Sequence, residues 1–142
     1  MAKETALRCM VYVGTGLVIA EAAFLAFVVI PRLAMHQEAI RLGSVRSSWF
    51  FVKIQLIVAA TLLAFIIPNR HDVRKIKVFL IIAGIVVIVL SLPIFSGAVF
   101  YLESYRFYDV AILEFMCVGA NLIAGILFIT VPIMLRRSSS AK

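Results

Sequence analysis

The sequence predicts an all-α integral membrane protein with four transmembrane helices in an antiparallel bundle. The 142-residue chain is 64% hydrophobic and has a mean hydropathy of +1.12, whereas about 45–50% apolar residues is usual for soluble domains. Its apolar residues also fall into four long runs, and about 20 helical residues cross a hydrocarbon core of ~30 Å. We therefore expect residues 1–142 to form a single transmembrane domain of a multi-pass protein whose first partner is the lipid bilayer.

The predicted spans cover about residues 9–30, 49–67, 78–100 and 110–135. The first is longer than the apolar region of a signal peptide and contains Glu21, so we interpret it as a span. Pro31 and Pro68 follow the first two runs and predict helix ends there, because proline disfavours helix in the residue before it. Pro93 lies inside the third run and predicts a kink.

Basic residues flank the spans unevenly. Nine of the fourteen lie in the two tails and the second loop, and five lie on the opposite side. The positive-inside rule therefore predicts that both termini are cytoplasmic. The net charge of +7 is spread over short loops and tails and not over a folded face with interleaved aromatic residues, so we expect no nucleic-acid partner.

Three polar segments outside the spans carry further predictions. Four basic residues of the second loop could contact anionic lipid headgroups: Arg70, Arg74, Lys75 and Lys77. Ser139 follows two arginines and is a candidate phosphorylation site. Between Pro31 and Ser48, apolar residues recur at helical spacing but Gly43 interrupts them, so a short surface helix and an irregular loop are equally compatible.

Each span offers one polar side chain in the same middle layer of the membrane. These residues are Glu21, Thr61, Ser91 and Asn121. A rise of ~1.5 Å per residue places all four about 14–18 Å below one membrane face, so we expect an intramembrane polar layer. Two interpretations remain open: a protonated Glu21 that packs against Asn121, or a protonatable group on an ion or substrate path.

Further pairs and patterns concern packing between the spans. Lys53 and Glu114 lie at similar depth and could form an ion pair, although Lys53 could instead extend alone to the headgroups. Small residues predict close helix packing at Gly14, Gly16, Gly119, Ala120, Ala124 and Gly125.

Residues for catalysis or metal binding do not form any familiar pattern. His36 and His71 are predicted on opposite sides of the membrane, and Cys9 and Cys117 lie in different spans. We therefore expect no catalytic residues, no metal and no cofactor. The predicted function is that of a non-catalytic adaptor or assembly subunit, which packs against other membrane proteins or against itself as an oligomer. The alternative is a small proton- or ion-coupled transporter that uses the intramembrane Glu21.

Overall fold

The computed structural model describes residues 2–36, 43–69 and 72–140, with the side chains of residues 5–36, 43–69 and 72–134. Four helices in these ranges are long and apolar enough to cross a membrane, and the ranges contain no strand. We call them the first to fourth spans: Thr5–Ala34, Ser44–Ile66, Val73–Tyr105 and Tyr108–Met134. The predicted four-helix fold class is therefore confirmed.

The helices that contain the spans begin two to seven residues before the predicted starts. The added residues are mostly polar, and polar residues continue a helix readily because its hydrogen bonds are made by the backbone. Because the number of spans is even, both ends of the helical chain lie at one end of the bundle. We call this the terminal end and the opposite end, which carries the first and third connections, the distal end.

The first span is built from three consecutive segments. An α-helix, α1 (Ala2–Phe24), passes into a π-helical turn (Leu25–Val29) and then into α2 (Ile30–Ala34). The prediction that the helix ends before Pro31 is wrong, because Pro31 lies in the first turn of α2. Proline is tolerated in a first turn, and the wider π-turn before it alters the pattern of backbone hydrogen bonds.

The second span is one helix, α3 (Ser44–Ile66), and it ends as predicted just before Pro68. Gly43 precedes it with φ 70°, a left-handed conformation that glycine adopts at little cost. The predicted surface segment between Pro31 and Ser48 lies in part outside the described residues, at positions 37–42.

The third span consists of α4 (Val73–Phe100) and a second π-helical turn (Tyr101–Tyr105). Asp72 caps α4, since its Oδ1 accepts a hydrogen bond from the backbone N–H of Lys75 at 3.1 Å. This bond lowers the pKa of Asp72 below its ordinary value of 3.8. The cap therefore stabilises α4 at neutral pH, and its contribution is lost as the pH falls through the lowered pKa.

The fourth span belongs to the long helix α5 (Tyr108–Ser140). It packs extensively along the third span and also contacts the first, and the first span packs against the second. The second and third spans contact each other only slightly. The first and fourth spans are therefore central, whereas the second and third lie at the edges of the bundle.

The tightest helix crossing joins the third and fourth spans at two glycines. A Cβ at Gly84 would lie 2.8 Å from the carbonyl oxygen of Gly125, and a Cβ at Gly125 would lie 3.0 Å from that of Gly84. The same Cβ at Gly125 would also lie 2.5 Å from the side chain of Ile88. Only glycine at both positions allows the two backbones to approach this closely.

The other predicted packing residues divide between buried contacts and open positions. Gly14 faces the ring of Phe128, which occupies the space of a Cβ there, and Ala124 is buried. Gly16 and Gly119 have no atom of another span within 4 Å of a Cβ position. These two glycines therefore do not pack against another span of this chain, because they lie on faces that are turned away from the bundle interior.

Candidate functional site

A buried polar cluster joins the first, second and fourth spans in the middle of the bundle. Glu21 Oε1 accepts hydrogen bonds from Gln55 Nε2 at 2.7 Å and from Asn121 Nδ2 at 2.9 Å. The exposed fractions of the three residues are 4%, 2% and 1%. We call these three residues the Glu21 cluster.

Helical periodicity explains why the three residues meet. Gln55 lies on the buried stripe of α3 with Val52, Ala59 and Leu62, and residues three or four apart share one face of a helix. Asn121 lies on a buried stripe of α5. Two apolar clusters, one towards each end of the bundle, flank the Glu21 cluster along the helix axes.

Two of the four residues predicted in the polar layer do not join it. Thr61 is exposed and donates its hydroxyl hydrogen bond to the backbone carbonyl of Ile57 at 2.7 Å. Ser91 is buried but bonds to the carbonyl of Ile88 in its own helix at 2.6 Å. The prediction of a four-span layer is therefore wrong for these two, because a helix satisfies a short hydroxyl side chain with its own backbone.

Sequence reasoning missed Gln55. Its predicted depth, ~9 Å below the outer end of the second span, is about 5–9 Å shallower than that of the other polar residues, and matching by depth favours Thr61 instead. The available signal was the helix face, because Gln55 shares a three-to-four-residue repeat with Leu62 and Ile66 whereas Thr61 does not. A long amide side chain also reaches a neighbouring helix more readily than a threonine hydroxyl.

The Glu21 cluster has more acceptors than donors. Glu21 Oε2 and Gln55 Oε1 are buried and have no hydrogen-bond partner. The salt bridges between His36 and Asp109 and between Lys75 and Asp72 lie elsewhere. A carboxylic-acid proton on Glu21 would supply the missing donor within the cluster.

A small apolar cleft lies beside Glu21, between the first and fourth spans. Its volume is about 250 Å³, and its lining includes Leu17, Phe24, Cys117 and Ala120. Because the lining is apolar and Glu21 is almost fully buried, the carboxyl group lies in a closed helix contact and not in a polar cavity.

The predicted ion pair between Lys53 and Glu114 is wrong. Lys53 is exposed beside an open groove on α3 that Arg46 and Trp49 also line. Glu114 is 5% exposed, and its Oε2 has no hydrogen-bond partner. The two residues have similar depth but lie on different faces, since Lys53 points away from the bundle and Glu114 into it.

Glu114 lines a second cavity, of about 200 Å³, near the distal end of the bundle. We call this cavity the Glu114 pocket. Four other lining residues carry hydroxyl groups, namely Ser44, Ser47, Ser48 and Tyr101. Glu114 Oε2 would lie 3.3 Å from a Cβ at Gly97, so the carboxyl group reaches the third span where that span has no side chain.

The residues predicted to contact lipid or to be modified lie at the terminal end. Arg74 and Lys75 are exposed and Lys77 is half-buried, while Arg70 lies outside the described residues. Lys75 Nζ also lies 3.4 Å from Asp72 Oδ2. Ser139 belongs to α5, but its side chain lies outside the described ones.

Histidine, cysteine and acidic side chains are dispersed in the described part of the chain. No three of them there lie close enough together to hold a metal ion. His36 stacks on Phe107 with ring centroids 3.9 Å apart, and Cys117 is buried whereas Cys9 is exposed.

Comparisons with known proteins add no relative to this description. No family model matches the chain, and the searches of curated proteins and of solved structures find no match either.

Proposed function

We propose that this protein is a non-catalytic assembly subunit that packs its second span against a transmembrane helix of a partner protein. The supporting observation is Lys53, a cation exposed on the outward face of an apolar span. Charged residues within spans usually face the bundle interior or pair with another group. Among the described residues Lys53 does neither, so a carboxyl group of a partner span is the counterpart we infer.

The surroundings of Lys53 support a helix as the partner. The second span is the least buried of the four. Its outward stripe carries large exposed residues at helical spacing, Phe50, Leu56 and Ile57 among them. Such a stripe fits the apolar face of another helix.

Charge argues against a second copy of this chain as the occupant. Arg46 lies on the same outward groove as Lys53, so two copies joined symmetrically through this face would bring four cations together. Like charges in an interface are unfavourable. A partner span with a carboxyl group near the same depth removes this repulsion.

Photo-crosslinking in native membranes tests the proposal. We expect p-benzoylphenylalanine in place of Phe50 to yield a crosslinked apolar peptide that contains Asp or Glu, identified by mass spectrometry. Lys53→Gln should lower the yield several-fold, because the pairing charge is lost. The same probe in place of Ile123, which is exposed on the fourth span, is the control. Equal products from both positions, or a yield unaffected by Lys53→Gln, would contradict the proposal.

A second candidate function is proton- or ion-coupled transport through Glu21. The observation that favours it is the unpartnered Oε2 of Glu21, buried in the centre of the bundle. Ion flux into liposomes that contain the purified protein tests this function, with Glu21→Gln as the variant. Transport through Glu21 requires flux that the substitution abolishes; the absence of flux, or flux equal in both proteins, rules it out.

A further inference from the structure

The Glu114 pocket contains a buried carboxyl group that no described side chain neutralises. The exposed fraction of Glu114 is 5%, and its Oε2 has no hydrogen-bond partner among the described residues. Lys53, at similar depth, points away from it. A buried charge without a partner is costly, so the pocket is suited to a donor that comes from outside the chain.

The lining of the pocket defines the chemistry of that donor. Its polar side chains are one carboxyl group and four hydroxyl groups, and none is a cation. A primary ammonium group carries a positive charge and three N–H donors, which match a set of oxygen acceptors. Phe51 also lines the pocket and offers an aromatic ring, a frequent neighbour of bound organic cations.

The size of the pocket favours an organic cation over a bare metal ion. A volume of 200 Å³ equals about six or seven water molecules at ~30 Å³ each. Apolar side chains, Leu25 and Ile94, supply further walls. A pocket with apolar walls and one anionic end accommodates a short alkyl chain attached to the ammonium group.

The position of the pocket provides a route of entry. Its lining residues come from the distal parts of all four spans, including the second and third, which contact each other only slightly. Leu25 and Tyr101, the first residues of the two π-helical turns, both line it. Such turns occur frequently at functional sites.

From these observations we infer that the Glu114 pocket binds a primary ammonium group. The carboxyl group of Glu114 pairs with the positive charge of the ammonium group, and the neighbouring hydroxyl oxygens accept hydrogen bonds from its remaining N–H groups. The bound ammonium group belongs either to a free amine or to the ethanolamine headgroup of a lipid. This inference does not depend on the proposed assembly function, which uses the opposite face of the second span.

Equilibrium binding of radiolabelled n-butylammonium tests the inference. The protein is placed in nanodiscs of phosphatidylcholine, a lipid without a primary ammonium group. We expect saturable binding of one amine per chain, weakened at least tenfold by Glu114→Gln. Glu103→Gln is the matched control, because Glu103 is an exposed carboxyl group near the same end of the bundle, and it should bind like the native protein.

A second variant keeps the test decisive if Glu114→Gln does not fold. Gly97→Ala places a methyl group 3.3 Å from Glu114 Oε2 and should also weaken binding at least several-fold. Repeating the titration with phosphatidylethanolamine in the nanodiscs identifies the source: competition identifies the headgroup, and unchanged binding identifies a free amine. No saturable binding in phosphatidylcholine, or equal binding by the native protein and the folded variants, would overturn the inference.

Discussion

Replacing Gly125 by alanine is expected to destabilise the folded protein by about 1–3 kcal/mol, the usual cost of overpacking a well-packed contact. The new Cβ would lie 3.0 Å from the carbonyl oxygen of Gly84 and 2.5 Å from Ile88. A backbone oxygen cannot move aside as a flexible side chain can, so the third and fourth spans must separate. Since these two spans share the most extensive contact in the bundle, the loss affects the whole fold.

Gly119→Ala is the matched control for this substitution. Gly119 lies in the same helix, and a Cβ there meets no atom of another span within 4 Å. Alanine favours helix over glycine by about 0.5–1 kcal/mol, so this variant should be as stable as the native protein or more so. Reversible unfolding in detergent measures both. Equal stability of the two variants would show that the Gly84–Gly125 crossing is not closely packed.

Replacing Glu21 by leucine is expected to destabilise the protein although the site becomes more apolar. The substitution removes the acceptor of Gln55 and Asn121, and both amide groups are buried where no water can replace it. An unsatisfied buried donor costs about 1–3 kcal/mol. Glu21→Gln keeps a carbonyl oxygen at the end of a side chain of the same length and should therefore lose less.

The same unfolding measurement compares the two variants, with Glu103→Gln as an exposed control. We expect the native protein and Glu103→Gln to be equally stable. Glu21→Gln should be less stable than both, and Glu21→Leu should be the least stable. A Glu21→Leu protein at least as stable as the native one would indicate that the hydrogen bonds of the Glu21 cluster contribute nothing to the fold.

Hydropathy alone predicts the number of spans because the bilayer requires a run of apolar residues of fixed length. Hydropathy does not place their ends, since residues such as Ser44 and Val73 extend the helices beyond the apolar runs. The helix that continues through Pro31 is a second feature that the sequence does not predict. A π-helical turn allows the first span to continue through it, and such a turn leaves no clear signal in one sequence.

The interior polar contacts are only partly predictable, because depth in the membrane is easier to derive than direction. Depth alone predicts a contact between Glu21 and Asn121, and the structure contains this contact. Depth also predicts an ion pair between Lys53 and Glu114, and the structure does not contain it. The helix face decides between such cases, and the buried stripe of α3 includes Gln55 but neither Lys53 nor Thr61. Gly84 was missed for a similar reason, since its importance comes from the crossing with Gly125 and not from its own sequence context.

Three ionisable side chains within the spans differ in their surroundings. The Glu21 cluster links the first, second and fourth spans through the two hydrogen bonds that Glu21 Oε1 accepts. Neither Lys53 nor Glu114 pairs with another described side chain, and the two residues lie on different sides of the bundle. Glu21 therefore contributes contacts between spans, while Lys53 and Glu114 support the proposals for a partner helix and for an ammonium ligand.

A double-mutant cycle between Glu21 and Asn121, measured in lipid, tests whether the buried carboxyl group of Glu21 holds the first and fourth spans together. The cycle compares Glu21→Leu, Asn121→Leu and the double variant by their free energies of unfolding. A hydrogen bond between the two side chains predicts a coupling of about 0.6 kcal/mol, the average for such bonds within membranes, where the largest values reach ~1.7 kcal/mol. Effects that add to within about 0.3 kcal/mol would contradict it, because independent sites behave in that way.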